Sequence, residues 1–587
     1  MFGRYGLILK IDLTGGSFSE WNPEKSIYET YLGGKGLASY LLHELNPAGV
    51  DPLAPENRLI FATGPAAGSP IWGGCRYGVF TKSPQTGFYA ESYSGGKVPE
   101  AIDSTGYDAI VITGAAAKPT ALEIHPGEVI FHDADFLWGL ETYEAESAAI
   151  KRFSKDKEGW GRAGSVVIGP AAENLVRLSV IKNDKWRSAG RTGVGTVMGS
   201  KKIKAIVFQG DRKRPVADPS AVKALAKSIS VEGKDNPGVL AYKSKGTSQL
   251  VAVVNNANAF PTRYWSEGKY ESWEKINSDA LHEKLDVKPN ACGKCFMACG
   301  RKATVKGGRH AGMVIEGPEY ETIYAFGGLC LIDSIEEIAY LNDVCDRLGV
   351  DTISAGNLCA FTIEACKRGK VDFEIDYGQV DRIAELLGMI ARREGIGDVL
   401  ADGIVHASRE WGLEDIAVHV KGLEPAGYDP RVLKGMGLAY ATSDRGACHL
   451  RATFYKPELA GMIPKEQIQG KAEMLLDFED RLAIFDTMVF CRFYRDLYDW
   501  EKLGEIIHAL TGLPGDKESL RKAAADISDV IRRFNLREGM TRKDEWLPEA
   551  LFRKMEKSGH QITPEELEYM LQDYYRLKGW DENGVPA

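Results

Sequence analysis

Three cysteines near the middle of the chain stand at a spacing typical of metal ligands. Cys292, Cys295 and Cys299 form a CxxCxxxC pattern. Thiolates at such a spacing converge on one centre, and soft sulfur ligands suit an iron-sulfur cluster or zinc. The pattern therefore predicts a metal centre whose fourth ligand must come from elsewhere in the chain.

The identity of that ligand is open at this point. A structural zinc site would take a nearby Cys or His, and His310 follows the last cysteine of the triplet. A radical-SAM loop has the reverse spacing, CxxxCxxC. Molybdopterin oxidoreductases of the formate dehydrogenase kind carry CxxCxxxC close to the N-terminus, whereas the triplet here is central.

Carboxylates and one histidine mark candidate acid-base positions. The segment Glu316-Gly-Pro-Glu319-Tyr-Glu321 precedes an apolar run over 322–332. Desolvation at such an entrance raises a carboxyl pKa and suits acid-base catalysis, although a solvated turn is the alternative. His449 lies beside a predicted turn, and a lone histidine is more often structural than catalytic. Asp486 and Cys491 share an apolar, helix-like stretch.

Two glycine-rich loops are accompanied by arginines. One is Gly190-Arg-Thr-Gly193-Val-Gly195-Thr-Val-Met-Gly199, and the other is Gly73-Gly-Cys-Arg76. Such loops bring backbone amides close to phosphate, but neither matches the Walker or GxGxxG spacing, so each could equally be a tight turn. With Arg76 and Arg187 nearby, a large anionic cofactor is one interpretation.

Two kinds of element must position these residues. Short apolar or alternating runs predict strands over 7–13, 59–63, 77–81, 109–113, 165–168 and 205–209, with helices over 27–45 and 142–153. A polar, proline-punctuated connector over 210–219 ends this region, and the remainder reads as helical. The clearest helix is predicted over 334–348.

Asp346 lies in the last turn of that helix. Asp333 or Ser334 can cap its start, and Gly349 fits the position just past its end. A carboxylate in the last turn opposes the helix dipole and is disfavoured without a partner. Asp346 is therefore a candidate ligand contact, and a solvated aspartate at a frayed helix end is the alternative.

Composition sets the outer limits. A chain of 587 residues predicts two to four domains, and a formal charge of −9 without a long basic block argues against a general nucleic-acid binder. No stretch predicts a membrane span or a signal-peptide core, so the cytoplasm is expected. Ten cysteines in so long a chain indicate ligands and buried thiols, not a disulfide framework.

Nearly the whole sequence resembles the tungsten-containing aldehyde:ferredoxin oxidoreductases. The resemblance covers the cysteine triplet, Glu316–Glu321 and a series of ordered segments. These are Tyr31-Leu-Gly-Gly-Lys-Gly-Leu-Ala, Arg76-Tyr, Thr81-Lys-Ser-Pro-Gln-Thr-Gly-Phe88, Ala189-Gly-Arg-Thr-Gly-Val-Gly, Val197-Met-Gly-Ser-Lys, Cys345-Asp-Arg-Leu-Gly-Val-Asp-Thr352, Tyr428-Asp-Pro-Arg and Tyr574-Tyr-Arg-Leu-Lys-Gly-Trp580.

The resemblance implies an α+β fold. A β-rich domain over 1–212 would form the base for a bis-pterin cofactor. A helical domain over 213–422 would carry the triplet and the first pterin motif, and another over 423–587 the second motif and the fourth cluster cysteine. The implied cofactors are a tungsten bis-molybdopterin (tungstopterin), a [4Fe-4S] cluster and Mg²⁺ bridging the pterin phosphates.

The resemblance also implies the site residues. Glu321 would be the base and His449 a partner of the carbonyl oxygen. Cys491 would complete the cluster of Cys292, Cys295 and Cys299. The cofactor-binding positions would be Arg76, Tyr93, Arg187, Ser188, Asp346, Gly349, Val350, Arg451 and Asp486.

The implied reaction is oxidation of a small aldehyde to a carboxylic acid, with electrons passing to ferredoxin or to iron-sulfur and flavin partner subunits in an oligomer. Two features of the sequence depart from the family pattern. Tyr340 and Asp343 replace the ExxH residues of a bridging iron site, and Tyr93 replaces an asparagine. The alternatives are a tungsten benzoyl-CoA reductase-like subunit and a non-catalytic electron-transfer or zinc-stabilised binding protein.

Overall fold

The computed structural model describes residues 2–587. Its strands group into two six-stranded sheets and one three-stranded sheet. They are β1 (Ile8–Asp12), β2 (Ser17–Trp21), β3 (Leu59–Ala62), β4 (Tyr77–Lys82), β5 (Tyr89–Ser94), β6 (Ala109–Thr113), β7 (Thr120–His125), β8 (Glu128–Asp133), β9 (Gly164–Val167), β10 (Ile181–Asn183), β11 (Arg187–Ala189), β12 (Ile203–Phe208), β13 (Leu285–Asn290), β14 (Gly300–Val305) and β15 (Val314–Glu316).

The α-helices predominate after residue 218. They are α1 (Lys25–Tyr31), α2 (Gly34–Leu45), α3 (Val98–Ser104), α4 (Thr142–Phe153), α5 (Pro170–Glu173), α6 (Val194–Ser200), α7 (Pro219–Lys234), α8 (Pro237–Lys245), α9 (Leu250–Asn256), α10 (Ser278–Lys284), α11 (Tyr320–Thr322), α12 (Ile335–Leu348), α13 (Thr352–Lys367), α14 (Val380–Arg392), α15 (Ile396–Ala401), α16 (Ile404–Trp411), α17 (Lys434–Thr442), α18 (Tyr455–Leu459), α19 (Lys471–Met488), α20 (Trp500–Thr511), α21 (Lys517–Arg537), α22 (Glu549–Phe552) and α23 (Pro564–Lys578).

Residues 2–210 form a sandwich of two mixed sheets. The strand orders are β2-β1-β6-β3-β4-β5 and β11-β10-β9-β12-β7-β8, each with one parallel pair, β1·β6 and β12·β7. Because side chains alternate across a strand, Leu9 and Ile11 face a core shared with Ile124 and Ile206 of the second sheet. Ile8 points the other way, towards the helices that cover the first sheet.

Helices close both outer faces of this sandwich. Leu37 and Leu41 of α2 and Ile527 of α21 pack on the outer face of the first sheet. On the second sheet, the small residues Ala145 and Ala149 let α4 approach closely. The predicted fold class is confirmed: a β-rich N-terminal domain precedes a mainly helical remainder. The division at residues 212 and 422 stays a prediction.

The clearest predicted helix has the predicted ends. The Ser334 hydroxyl accepts from the Glu337 amide (3.3 Å), and α12 ends where Gly349 takes a left-handed conformation, φ 78°. The predicted helix over 27–45 is instead two helices. Leu32, with φ 59°, and Gly33 separate α1 from α2. Gly34 then begins the second helix.

A small sheet interrupts the helical region, which the sequence pattern did not predict. Strands β13, β14 and β15 pair antiparallel, and the cysteine triplet forms the loop between β13 and β14. Polar residues are frequent in these strands because one face of the sheet is exposed to solvent. The alternation of apolar residues that would predict strands is therefore weak in the sequence.

Helix α19 enters the N-terminal domain with its C-terminal end. Gly34 at the start of α2 donates to the Thr63 carbonyl (3.0 Å). A Cβ at Gly34 would lie 2.4 Å from the Thr487 carbonyl oxygen, and one at Gly64 would lie at the same distance from that atom. Glycine is required here because the backbones themselves are in contact. No helix among residues 2–587 combines the length and the apolar character needed to cross a lipid bilayer.

We expect Gly34→Ala to lower the free energy of unfolding by about 3 kcal/mol, because its Cβ has no room beside Thr487 and its φ of 38° is left-handed. The control is Gly16→Ala, where φ is 58° but nothing lies within 4 Å of the new Cβ. That change should cost only about 1 kcal/mol. Thermal unfolding of both variants, followed by circular dichroism, separates crowding from backbone strain. Equal midpoints would contradict the close contact.

Candidate active site

A cavity of about 360 Å³ lies where the first sheet meets the helical region. Its walls come from β5, from the loop after β11, from α11 and from the segments around 445–455 and 486–493. Both predicted catalytic residues line it. Of the predicted cofactor-binding residues, it brings together Arg76, Tyr93, Ser188, Arg451 and Asp486, and of the predicted metal ligands it includes Cys491.

Glu321 and His449 form a buried pair in this cavity. His449 Nε2 lies 3.4 Å from Glu321 Oε1, and Glu321 Oε2 accepts a hydrogen bond from the Gly427 amide (3.0 Å). Within the described chain, Glu321 Oε1 and His449 Nδ1 are buried and have no hydrogen-bond partner. Apart from the 3.4 Å contact between Glu321 Oε1 and His449 Nε2, both atoms are thus available to a bound molecule that would complete the site.

Burial sets the protonation of this pair. Desolvation raises the pKa of Glu321 to about 7, against the opposing hydrogen bond from Gly427. Desolvation, followed by the positive charges of Arg191 and Arg445, holds the pKa of His449 well below its usual range. Near neutral pH the imidazole is therefore uncharged, and the carboxyl group exchanges a proton readily. This combination suits a general base beside a neutral hydrogen-bonding group.

Tyrosines form one wall beside the pair. The rings of Tyr428 and Tyr455 stack at 4.0 Å, and Tyr320 lies 5.3 Å from Tyr428. The Tyr320 hydroxyl donates to the Gly427 carbonyl, which fixes the segment that also holds Glu321. Ring faces exclude water from the carboxyl group and thereby maintain its raised pKa.

Five arginines also line the cavity. They are Arg76, Arg191, Arg445, Arg451 and Arg492. Buried Nε and Nη2 of Arg451 and Nε of Arg445 have no hydrogen-bond partner in the part of the chain that the structure describes. Guanidinium groups with free N–H donors bind phosphate-like anions strongly. The donor set therefore fits a pterin cofactor with phosphate groups.

The two predicted pterin-binding aspartates have different surroundings. Asp486 lines the cavity at the end of α19, where it pairs with Arg451 (3.1 Å) and Arg492. Asp346 does not line the cavity. It is buried and pairs with Lys182 Nζ (2.5 Å) and Asn342 Nδ2 (3.0 Å). The alternative of a solvated, frayed aspartate is therefore wrong, and the carboxylate has the cationic partner that its position requires.

The positions that follow Asp346 are also fixed to the second sheet. The Gly349 carbonyl accepts from the Val180 amide (2.9 Å), and Val350 pairs with Ser179. Arg187 makes an ion pair with Glu316 (2.5 Å). Gly349, Val350 and Arg187 do not line the cavity as it stands, so their contact with a cofactor stays a prediction.

The fourth predicted cluster ligand lies beside the triplet because both are tied to Gly73. The Gly73 amide donates to the Lys294 carbonyl (2.8 Å), and its own carbonyl accepts from the Cys491 amide (2.8 Å). The Tyr494 hydroxyl accepts from the Phe296 amide (3.0 Å). The chain thus brings Cys491 to Cys292, Cys295 and Cys299 across nearly two hundred residues. Their role as ligands stays a prediction.

Positive charge and a fifth thiol surround these cysteines. Arg76 Nη2 lies 3.3 Å from Cys491 Sγ. A hydrogen bond from Cys75, together with Arg187 and Arg76, holds the pKa of Cys292 well below its usual range. Thiolates are the form that binds metal. Among residues 2–587, no three His, Cys, Asp or Glu side chains are close enough to share a single metal ion.

His310 is engaged elsewhere. Its Nε2 lies 3.0 Å from Glu337, and its ring stacks on Tyr340 at 4.3 Å. It therefore does not serve as the fourth ligand. Asp343, at the second position that departs from the ExxH pattern, accepts from Arg347 (2.7 Å) and from the Tyr143 hydroxyl (3.1 Å). Tyr340 and Asp343, the two residues at the ExxH positions, are therefore both in contact with other residues of this chain.

Sequence reasoning missed several charged residues of the site. Glu91 is fully buried on β5 and is engaged by Lys35 (3.0 Å), by the Tyr93 hydroxyl (2.6 Å) and by Arg451. The strand pattern around Glu91 gives no warning of this network, since charged residues on strands are usually exposed. The sequence feature that could have indicated this network is Lys35, a lysine within the Gly-Gly-Lys-Gly segment.

Two family profiles match this chain, one over its β-rich first part and one over its mainly helical remainder. The family profile "Aldehyde ferredoxin oxidoreductase, N-terminal domain" matches residues 8–210, and "domains 2 & 3" matches residues 224–587. The tungsten-containing aldehyde ferredoxin oxidoreductases of Pyrococcus furiosus and Thermococcus kodakarensis are 34% and 35% identical, each over 100% of this chain and 97% of its own. An aliphatic sulfonate oxidoreductase, WOR-like subunit, of Pyrococcus furiosus is 28% identical over 100% of this chain and 96% of its own.

A solved structure is similar over the full chain. It is the active-site complex BamBC of benzoyl coenzyme A reductase with 1,5-dienoyl-CoA, with a TM-score of 0.86 and 26% identity. The match covers 100% of this chain and 96% of that chain.

We expect Cys491→Ala to lose the predicted iron-sulfur cluster, because one of the four predicted ligands is removed. Iron analysis and electron paramagnetic resonance of the reduced protein measure the loss. Cys75→Ala is the matched control, since Cys75 is buried beside the same cysteines but is not a predicted ligand. It should retain the iron. A cluster signal that survives in Cys491→Ala would refute the fourth ligand.

Proposed function

This chain belongs to the aldehyde ferredoxin oxidoreductase family, and we propose that it oxidises aldehydes to carboxylic acids and passes the electrons to a ferredoxin or to an iron-sulfur or flavin partner subunit. The observation that carries the proposal is the buried Glu321–His449 pair in a cavity rich in arginine, where His449 Nδ1 has no hydrogen-bond partner among the described residues. Cys491 lines that cavity and lies beside the cysteine triplet, so these four thiols would provide the way out for electrons.

The chain's own groups suit the cofactors that the family name implies. Arg76, Arg451 and the backbone near Tyr93 and Ser188 would hold a tungsten bis-pterin, with Asp486 and Asp346 at its two pterins. Cys292, Cys295, Cys299 and Cys491 would hold a [4Fe-4S] cluster. When bound, these groups supply a two-electron acceptor at the substrate and a path for single electrons away from it.

The residues around the substrate carry the protons. Oxidation of an aldehyde consumes water and releases two protons and two electrons, so a base must accept a proton from water or from the aldehyde hydrate. Ionised Glu321 is that base, and its pKa of about 7 matches the task. Neutral His449 donates a hydrogen bond to the carbonyl oxygen, where negative charge develops. The tyrosine wall keeps bulk water away from both.

A second candidate is a benzoyl-CoA reductase-like catalytic subunit, which the similarity to the BamBC complex favours. Identity to the aldehyde enzymes is 34–35%, against 26% to that chain. The acid-base pair beside an aromatic wall also fits aldehyde oxidation. An aldehyde panel with a viologen acceptor, run beside dienoyl-CoA oxidation on metal-replete protein, distinguishes them. Turnover of dienoyl-CoA alone would overturn the aldehyde assignment.

We expect Glu321→Gln to lower kcat at least about 100-fold, because glutamine cannot accept the proton. Tungsten, pterin and iron contents should stay at the wild-type level. Glu424→Gln is the matched control, because burial raises the pKa of Glu424 to about 7 as well. Glu424 lies outside the cavity, where its carboxylate accepts hydrogen bonds from Ser354 (2.6 Å) and Gln85 (3.0 Å). Wild-type turnover in Glu321→Gln would refute the base assignment.

The rate should depend on pH through the same carboxyl group. Since only the ionised form accepts a proton, kcat should rise as pH increases through about 7 and level off above it. His449, whose pKa is well below its usual range, stays neutral over this interval and adds no second transition. Initial rates with a viologen acceptor between pH 5.5 and about 9 test this shape. A rate that falls over the interval would contradict it.

A further inference from the structure

We propose that the surface around the cysteine triplet is the docking site of a small, acidic iron-sulfur protein, guided there by exposed lysines. This inference rests on the proposed function, because an enzyme that oxidises aldehydes must hand electrons to a carrier. It goes further by assigning the surface and the charge of the partner.

The triplet is the part of the predicted cluster site that approaches solvent. Cys292 and Cys295 are half-buried, whereas Cys491 is 4% exposed. Lys294, between the first two cysteines, is exposed. Its backbone carbonyl is held inward by the Gly73 amide (2.8 Å). A partner that contacts this loop reaches the nearest approach of the cysteines to the surface.

Five further lysines are tied to this loop by contacts. The carbonyl of Gly96, the residue before Lys97, accepts from the Gly293 amide (2.9 Å). The Lys243 carbonyl accepts from Arg301, two residues after Cys299 (2.9 Å). Lys185 and Lys302 both lie 5.9 Å from the Trp186 ring. Lys234 follows Gly233, which packs against the Phe296 ring.

These lysines are available to a partner. Lys97, Lys185, Lys234, Lys243, Lys294 and Lys302 are exposed, and within residues 2–587 none has a carboxylate within 4.0 Å. Acidic side chains near them include Asp184, whose carboxylate accepts from the Lys97 amide (2.7 Å), Glu146, which accepts from the Lys185 amide (2.6 Å), and Glu100, Glu232 and Asp235. Of these five carboxylates only Glu100, Glu232 and Asp235 are exposed, against six exposed lysines, so positive charge is in excess at the exposed surface although the whole chain carries −9.

An apolar centre lies among the charges. Trp72 and Phe296 are half-buried with ring centroids 5.3 Å apart, and the Trp72 indole donates to the Ala226 carbonyl of α7 (2.9 Å). Val231 on α7 is 69% exposed and Leu240 on α8 is 47% exposed. A small apolar centre with a charged rim is the usual anatomy of a specific, transient protein interface.

Charge complementarity identifies the occupant. A positive patch on a negative protein attracts an acidic partner and raises the association rate, an effect that salt screens. Each aldehyde oxidised releases two electrons, so two oxidised carriers are each reduced by one electron. The carrier must leave after each transfer. A charged rim around a small apolar centre permits such rapid exchange better than a large apolar interface.

The test uses the holoenzyme, an aldehyde and a purified ferredoxin of net negative charge. The triple variant Lys97→Glu, Lys243→Glu, Lys302→Glu should lower kcat/KM for the ferredoxin at least about 10-fold at low ionic strength. Its rate with methyl viologen, which does not need this patch, should match wild type. Lys370→Glu, at an exposed lysine after α13, is the control and should leave both rates unchanged.

Two further readouts keep the outcome decisive. In the wild type, the rate of ferredoxin reduction should fall as the salt concentration rises. In the single variant Lys243→Glu, the rate should depend less steeply on salt. This single variant tests the proposal if the triple variant does not fold. Unchanged ferredoxin kinetics in the charge-reversed protein would overturn the docking surface. Absence of aldehyde oxidation with viologen in the wild type would instead overturn the proposed function.

Discussion

The arrangement of the site depends on the contact between the end of α19 and the glycine loops of the N-terminal domain. Gly34 and Gly64 lie against the Thr487 carbonyl, and Gly73 bonds both Lys294 and Cys491. These are contacts of backbone with backbone, so they leave no room for side chains at the glycines. A single short segment thereby carries Asp486 into the arginine-rich cavity and Cys491 to the cysteine triplet.

Desolvation then decides what the buried groups do. The same burial that raises the pKa of Glu321 to about 7 lowers that of His449, because each environment penalises the charged form. Arginines keep their charge despite burial, and their donors without a hydrogen-bond partner suit anionic groups. The chemistry of the cavity therefore follows from two features, an aromatic wall beside the acid-base pair and a set of arginines that lines the same cavity.

Charge is also separated between the inside and the outside of the cysteine site. Half-buried Arg76 and Arg187 lie near the thiols and lower the pKa of Cys292. Exposed lysines around Lys294 lie outside them, where water weakens their effect on the thiols but leaves them open to a partner. In the proposed function, positive charge thus serves two purposes at different depths: Arg187 and Arg76 lower the pKa of the Cys292 thiol, and the exposed lysines attract an acidic carrier.

The sequence by itself determined the fold class, the helix that ends at Gly349, the cysteine triplet and the resemblance that points to Glu321, His449 and Cys491. These rest on local periodicity, capping and ordered motifs, which are written in short stretches of chain. Tertiary structure alone decided that Lys182 is the partner of Asp346, that Glu91 is buried against Lys35 and Arg451, and that the triplet lies in a loop of a small sheet. Burial and long-range ion pairs bring together residues that are hundreds of positions apart in the sequence. A local sequence pattern does not contain the information about such contacts.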